Sequence, residues 1–262
     1  MQPWAEGFAV LGTTLASTMF WSAVLVEVLA QSVDGALGMA YGVTATTFLL
    51  GAGIHPVMAS AGVHIAKIFT GGVSGLAHVR YGNVDKALFM RLLVPGMLGG
   101  VVGTVVVTRF DGRILTPFIS GYLVLMGLHI LRKAGGYQQL RVQPSTHVAR
   151  LGLCGGFVDA VGGGGWGPVV TTTLLGSGNN PRLTVGSVNF AEFFVALASA
   201  ASFSMLVETN IWPIVGSLVC GGLVASPFAA MMCKHLHPRV LMLLVGGLIT
   251  LLSLYNLYRA LA

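Results

Sequence analysis

One set of polar side chains stands out within an apolar stretch of this sequence. Ser60, His64 and Lys67 are spaced by four and three residues, so on a helix they lie along one face. An ionisable residue inside an apolar span is costly and by default faces a polar cavity. Lys67 can attract an anion, and His64 can couple proton movement to it, because histidine changes charge near neutral pH. The set therefore predicts a small-anion site.

A second polar set follows in the other half of the chain: Ser187, Asn189 and Glu192. Shifting the sequence by 125 positions aligns His64 with Asn189 and Lys67 with Glu192. Glu192 can pair with Lys67 or carry a proton. Alternatively, both charged groups extend to the membrane surface or form a purely structural ion pair. His64 lacks a second histidine at ligand spacing, so the sequence predicts no metal site and no cofactor.

Two glycine-rich segments, 34–42 and 159–168, should each interrupt a helix, because glycine costs about 1 kcal/mol per helical position and proline about 3. Equivalent interruptions in two halves of a membrane protein indicate a substrate cavity, where freed backbone groups are satisfied. Glycines also serve close helix packing, but four in a row before Trp-Gly-Pro exceed that need. We therefore predict that Gly165, Trp166 and Gly167 contact substrate.

A short helix is expected to resume after each interruption, at Val43 and at Val169. Its first N–H groups have no internal partners and can bind an anion. Threonine hydroxyls in these first turns could donate to oxyanion oxygens, or could instead bond to their own helix backbone. The predicted substrate contacts among them are Thr44, Thr46, Thr47, Thr171 and Thr172.

Asp34 and Asp159 stand at the start of the two interruptions. A carboxylate there can accept hydrogen bonds from exposed backbone N–H groups. We expect a structural or coupling role for both residues rather than direct contact with an anion.

The composition indicates that membrane-spanning helices hold these residues in place. The chain of 262 residues is 55% hydrophobic and 8% charged, whereas soluble domains carry roughly 25% charged residues. A spanning helix needs about 20 apolar residues. The sequence predicts an all-α polytopic membrane protein with about eight membrane segments, two of them broken or re-entrant, from apolar runs at 7–33, 57–79, 86–108, 114–131, 147–176, 183–206, 211–233 and 239–258.

The chain is a duplication, since the same 125-position shift also places Asp34 on Asp159 and Pro56 on Pro181. We predict a first transmembrane repeat at 1–133 with extra N-terminal turns, a basic linker at 134–146 and a second repeat at 147–262. The distribution of Lys and Arg favours an inverted second repeat over a parallel one. Whether 7–33 forms one long helix or includes an extra span is left open.

Other function classes are disfavoured. The net charge of +6 and pI near 9.6 fit cytoplasmic loops better than a nucleic-acid surface, so no nucleic-acid partner is expected. No Walker loop, HExxH or GxSxG motif occurs. An intramembrane enzyme using His64 and Glu192 lacks an evident nucleophile, so the protein is not expected to be an enzyme.

Five segments resemble the TauE/SafE sulfite exporter family. They are Asp34-Gly-Ala-Leu-Gly-Met-Ala-Tyr-Gly-Val-Thr44, Ala59-Ser-Ala-Gly-Val-His64, Gly82-Asn-Val-Asp85, the run from Gly155 to Pro168, and Gly186-Ser-Val-Asn-Phe-Ala-Glu-Phe-Phe194. The resemblance covers nearly all of the chain beyond about the first twenty residues. It implies a multi-pass transporter of sulfite or organosulfonates in the bacterial inner membrane.

The sequence thus predicts a secondary transporter for a small sulfur-containing anion such as sulfite, sulfoacetate, isethionate or taurine. It would work by alternating access, with proton coupling as an option. The alternative is an anion channel with the same site. The expected partners are the anion and the lipid bilayer, and a homodimer is one option for the assembly. Exact substrate, direction, coupling ion, oligomeric state and absolute topology stay open.

Overall fold

A computed structural model describes residues 18–37, 41–135, 147–177, 179–207, 212–232 and 238–262. Within these ranges the chain is helical and has no strand, so the predicted all-α fold is confirmed. The first half contains α1 (Thr18–Leu37), α2 (Tyr41–Gly51), α3 (Pro56–Arg80), α4 (Lys86–Val107) and α5 (Gly112–Gly135). The second half contains α6 (Val148–Gly162), a π-helical turn (Gly167–Thr171), α7 (Thr172–Gly176), α8 (Pro181–Leu206), α9 (Trp212–Met232) and α10 (Pro238–Leu261).

Three helices of the described part are long and apolar enough to cross a membrane: Lys86–Val107, Ile114–Gly135 and Arg182–Leu206. Large apolar side chains such as Leu98, Phe118 and Leu125 are exposed on their surfaces. Such a surface is unfavourable in water and suits contact with lipid. The protein is therefore a multi-pass membrane protein.

Local sequence signals explain where the helices around the site begin. Pro56 and Pro181 occupy the first turns of α3 and α8, where a missing N–H costs nothing. The Asn180 side chain caps α8 by accepting from the backbone N–H groups of Arg182 and Leu183. These two aligned helices carry the two polar sets identified in the sequence.

The main packing contacts join the two halves reciprocally. Helix α4 packs on α6 and α9 packs on α1, while α3 packs on α8 and α5 on α10. A Cβ atom added to Gly99 of α4 would lie 2.1 Å from the Leu153 carbonyl oxygen on α6. One added to Gly221 of α9 would lie 2.6 Å from the Val24 carbonyl oxygen on α1. Gly99 and Gly221 align in the duplication once one short gap reduces the shift from 125 to 122 positions, so equivalent glycines permit equivalent close contacts.

The second predicted interruption is a break between helices, but helical structure resumes two residues earlier than expected. Helix α6 ends at Gly162, and the π-helical turn begins at Gly167 rather than at Val169. The Asp159 carboxylate accepts from the Gly165 backbone N–H group after this break, which supports the earlier start. At the first predicted interruption, α1 ends at Leu37 and α2 begins at Tyr41, so Val43 lies inside α2 rather than at its start.

Parts of the predictions fall outside the described residues. These include 1–17, which bear on the possible extra N-terminal span, residues 38–40 of the first interruption, and most of the proposed linker at 136–146. The boundaries of the two repeats and the linker stay predictions.

Candidate functional site

The two interruptions meet directly in the interior of the protein. A Cβ atom added to Gly42 would lie 2.6 Å from Gly164 Cα, and one added to Gly164 would lie 2.2 Å from the Val43 nitrogen. Only glycine allows two backbones to approach so closely. The Thr46 hydroxyl donates to the Gly163 carbonyl at 2.6 Å and links the two breaks further. The second break turns at Gly163, whose φ of 68° lies in the left-handed region that glycine adopts readily.

Asp159 ties the second interruption together. Its Oδ1 atom accepts from the backbone N–H groups of Gly165 at 2.7 Å and Trp166 at 3.1 Å. The same carboxylate contacts Lys67 and His64, and it is fully buried. The N–H group of Val169, where the resumed helix was predicted to begin, donates to the Gly165 carbonyl at 2.9 Å. In the first half, Asp34 Oδ1 lies 3.4 Å from the Tyr41 nitrogen at the start of α2.

Lys67 lies between two carboxylates from the other half of the chain. Its Nζ atom is 3.1 Å from Asp159 Oδ1 and 2.7 Å from Glu192 Oε1. Only 4% of Lys67 is exposed, so this charge is compensated inside the protein. The contact between Lys67 and Glu192 joins the two residues that the duplication aligns.

His64 lies beneath this ion-pair cluster, on the side of Asp159. Its Nδ1 atom is 2.8 Å from the Ser60 carbonyl, and its Nε2 atom is 3.1 Å from Asp159 Oδ2. Both ring nitrogens therefore face oxygen atoms of the protein, one from α3 and one from α6. The Ser60 hydroxyl donates to the Ala160 carbonyl at 2.7 Å and so holds α3 against α6.

A small polar cavity of about 20 Å³ opens on the other side of Lys67. That volume admits little more than a water-sized group. Both halves contribute to its lining, which consists of Gln31, Asp34, Tyr41, Lys67, Thr70, Gly71, Ser74, Asn189 and Glu192. The cavity thus combines one ammonium group with two carboxyl groups and several uncharged polar side chains.

The structure brings only some of the predicted site residues to this cavity. Asp34, Lys67, Asn189 and Glu192 line it. The Asn189 amide nitrogen is 3.4 Å from His78 Nε2, and its Oδ1 atom is buried without a hydrogen-bond partner in the described structure. Ser60, His64 and Asp159 do not line the cavity but connect to it through Lys67.

Two of the predicted threonines use their hydroxyls on their own helices. Thr47 donates to the Val43 carbonyl at 2.6 Å, and Thr172 donates to the Pro168 carbonyl. Thr46 instead bonds to the opposite interruption, as described above. Thr44 and Thr171 are buried at 2% and 0% exposure, and neither lines the cavity. Their roles in substrate binding stay predictions.

The remaining predicted residues hold the framework around the cavity. Trp166 is fully buried, and its indole N–H donates to the Val188 carbonyl at 3.1 Å. Gly165 and Gly167 are buried in the second interruption, away from the cavity lining. Ser187 accepts from the Asp85 backbone N–H at 2.8 Å and so fixes the loop between α3 and α4.

The sequence reasoning missed more than half of the cavity lining, namely Gln31, Tyr41, Thr70, Gly71 and Ser74. A helical pattern could have found most of these residues. Thr70 and Ser74 continue the face of Ser60, His64 and Lys67 along α3, and Gln31 lies one turn before Asp34 on α1.

Comparison with known protein sequences assigns this chain to a family. A family sequence model described as "Sulfite exporter TauE/SafE" matches residues 23–256, which include both interruptions and the whole ion-pair cluster. A protein of Bacillus subtilis (strain 168) named "Probable membrane transporter protein YtnM" is 41% identical over 237 residues, covering 87% of this chain and 79% of that protein. No solved structure matches the chain significantly. The predicted resemblance is confirmed, and both matches indicate a membrane transporter rather than an enzyme.

Proposed function

Because the chain belongs to the TauE/SafE sulfite exporter family, we propose that it is a secondary transporter for a small sulfur-containing anion in the bacterial inner membrane. Sulfite and small organosulfonates such as sulfoacetate, isethionate and taurine are the proposed substrates. The observation that carries the proposal is the buried ammonium of Lys67, which lines a polar cavity and also lies next to Gly42, where the two interruptions meet.

Lys67 is the proposed anion-binding group, and Glu192 controls its availability. In the described conformation Glu192 Oε1 lies 2.7 Å from Lys67 Nζ and pairs with the ammonium. Asp34 adds a second carboxyl group to the cavity lining. An anion entering beside ionised carboxylates is repelled. Protonation of Glu192 releases the ammonium for the anion and removes one negative charge, so substrate and proton move together.

Alternating access requires two conformations that expose the same site to opposite sides. The reciprocal contacts between the halves, α4 on α6 and α9 on α1, support two repeats related by an approximate two-fold axis. In the proposal these repeats are inverted and together form about eight membrane segments. The small cavity and the 4% exposure of Lys67 support an occluded site rather than a continuously open anion channel. Rocking of one half against the other would open the cavity.

Flux measurements in proteoliposomes test this function. Labelled sulfite, sulfoacetate, isethionate and taurine are offered with and without a pH gradient, and protein-free liposomes provide the background. We expect saturable uptake of at least one anion, stimulation by the pH gradient, and counterflow driven by unlabelled substrate on the far side. Non-saturable flux without counterflow would indicate a channel, and no flux for any of these anions would refute the proposal.

A further inference from the structure

One further carboxyl group inside the protein, that of Glu27, takes no part in the ion-pair cluster. Glu27 of α1 is fully buried, and neither of its carboxylate oxygens has a hydrogen-bond partner among the described residues. The Tyr41 hydroxyl is also buried without such a partner. An isolated ionised carboxylate is far costlier to bury than a neutral acid. Selection of glutamate at such a position calls for a physical explanation.

Glu27 lies where α1, α3 and α9 meet. A Cβ atom added to Gly222 of α9 would lie 3.1 Å from Glu27 Oε1 and 2.3 Å from Thr70 Cγ2 of α3. One added to Gly221 would lie 2.7 Å from Glu27 Cβ. The carboxyl group therefore sits against the contact that joins the first half of the chain to α9 of the second half.

The surroundings connect Glu27 to the cavity. The titratable groups that interact with it are Tyr41 of α2, Asp34 of its own helix and Lys67 of α3, and all three line the cavity. Residues 221 and 222, its neighbours on α9, are glycines without titratable groups. The Tyr41 hydroxyl interacts with the Glu27 carboxyl without meeting hydrogen-bond geometry. The Glu27 carboxylate, the Tyr41 phenol and the Thr70 hydroxyl are too few for a hard metal cation, which takes about six oxygen ligands. A proton needs no such set of ligands.

We propose that Glu27 is a coupling-proton site, separate from the anion site, whose protonation allows α9 to pack on α1. This inference rests on the proposed transport function. The carboxylate takes up one proton from water on one side of the membrane and returns it to water on the other, with no other bond changed.

The location of Glu27 explains how such a proton would drive the conformational change. A neutral acid fits the dry junction beside Gly221 and Gly222, whereas an ionised one favours a conformation in which water reaches it. A ligand shifts a conformational equilibrium by its difference in affinity for the two states, and here that ligand is the proton. Protonation is thereby linked to the contact between the two halves.

Anion accumulation at steady state measures this proton. With the membrane potential clamped at zero, each coupled proton contributes a tenfold accumulation ratio per unit of pH gradient, because 1.4 kcal/mol is a factor of ten. We expect Glu27→Gln to lower the ratio about tenfold at a one-unit gradient, with counterflow and apparent affinity unchanged. Glu27→Asp, which keeps a carboxyl group, should retain part of the accumulation. An unchanged ratio in Glu27→Gln would overturn the proposal.

Glu192→Gln is the matched comparison, because it removes a carboxyl group beside Lys67 and should change the apparent affinity for the anion.

Infrared difference spectra between low and high pH provide a readout that needs no transport. We expect a carbonyl stretch of a protonated carboxyl that titrates in the wild type and is lost in Glu27→Gln. A spectrum without such a band would refute the proton site even if transport is observed, whereas absent flux would refute only the transport function.

Discussion

Replacement of Lys67 by methionine tests the ion-pair cluster most directly. Methionine keeps much of the side-chain length but removes the ammonium, which lies 3.1 Å from Asp159 and 2.7 Å from Glu192. Removing one partner of a buried ion pair costs about 3–5 kcal/mol, because it leaves uncompensated buried charge. Two carboxylates lose their cation here, so we expect the upper part of that range.

Thermal unfolding of the purified protein in detergent measures this loss. For a chain of this size about 1 kcal/mol corresponds to 2–4 °C in Tm, so a loss of about 4–5 kcal/mol in Lys67→Met should lower the Tm by about 8–20 °C. Adding Glu192→Gln in the double variant should recover part of this shift, because it removes one of the two orphaned charges. Lys86→Met is the matched control, since Lys86 is exposed and its loss should change stability by less than about 0.5 kcal/mol. Equal Tm values for Lys67→Met and Lys86→Met would refute the reasoning.

Two further substitutions test the framework around the site by the same Tm measurement. Gly164→Ala should lower the stability of the protein by about 1–3 kcal/mol or more, because the added Cβ would lie 2.1 Å from the Gly42 backbone. The control is Gly121→Ala in α5, where the added Cβ has open space, so this substitution should be neutral or slightly stabilising. Equal stabilities would contradict the contact between the interruptions. Trp166→Phe should cost about 1–3 kcal/mol, since it removes the indole hydrogen bond to the Val188 carbonyl and part of a fully buried ring, and a wild-type Tm would show that these contacts contribute little.

Local sequence signals predicted the second interruption well. Its glycine run and Pro168 are unfavourable in a continuous helix whatever lies around them, so this break could be located from residue types alone. The start of the helical structure after it was predicted two residues late, because the Asp159 carboxylate accepts backbone N–H groups across the break. That contact depends on side-chain placement and has no local signal.

The polar site was only partly predictable. The duplication aligned Lys67 with Glu192, and the structure brings them to 2.7 Å, as expected if they pair. Asp159 was expected at the interruption, but its contact with Lys67 links residues 92 positions apart in the chain. The threonines were chosen for donor chemistry, yet Thr47 and Thr172 bond to carbonyls four residues earlier on their own helices. A hydroxyl that can bond locally gives no sign of which partner it takes.

The sequence by itself determined the lipid environment, the helical fold, the duplication and the position of the break after Asp159. These properties follow from composition and from backbone preferences that act over a few residues. Only the tertiary structure decided that Gln31 and Tyr41 line one cavity with Lys67, and that Glu27 lies at the contact between α1 and α9, beside Gly221 and Gly222. Helical periodicity shows which residues share a face, whereas the partner of that face is selected by packing between segments far apart in the chain.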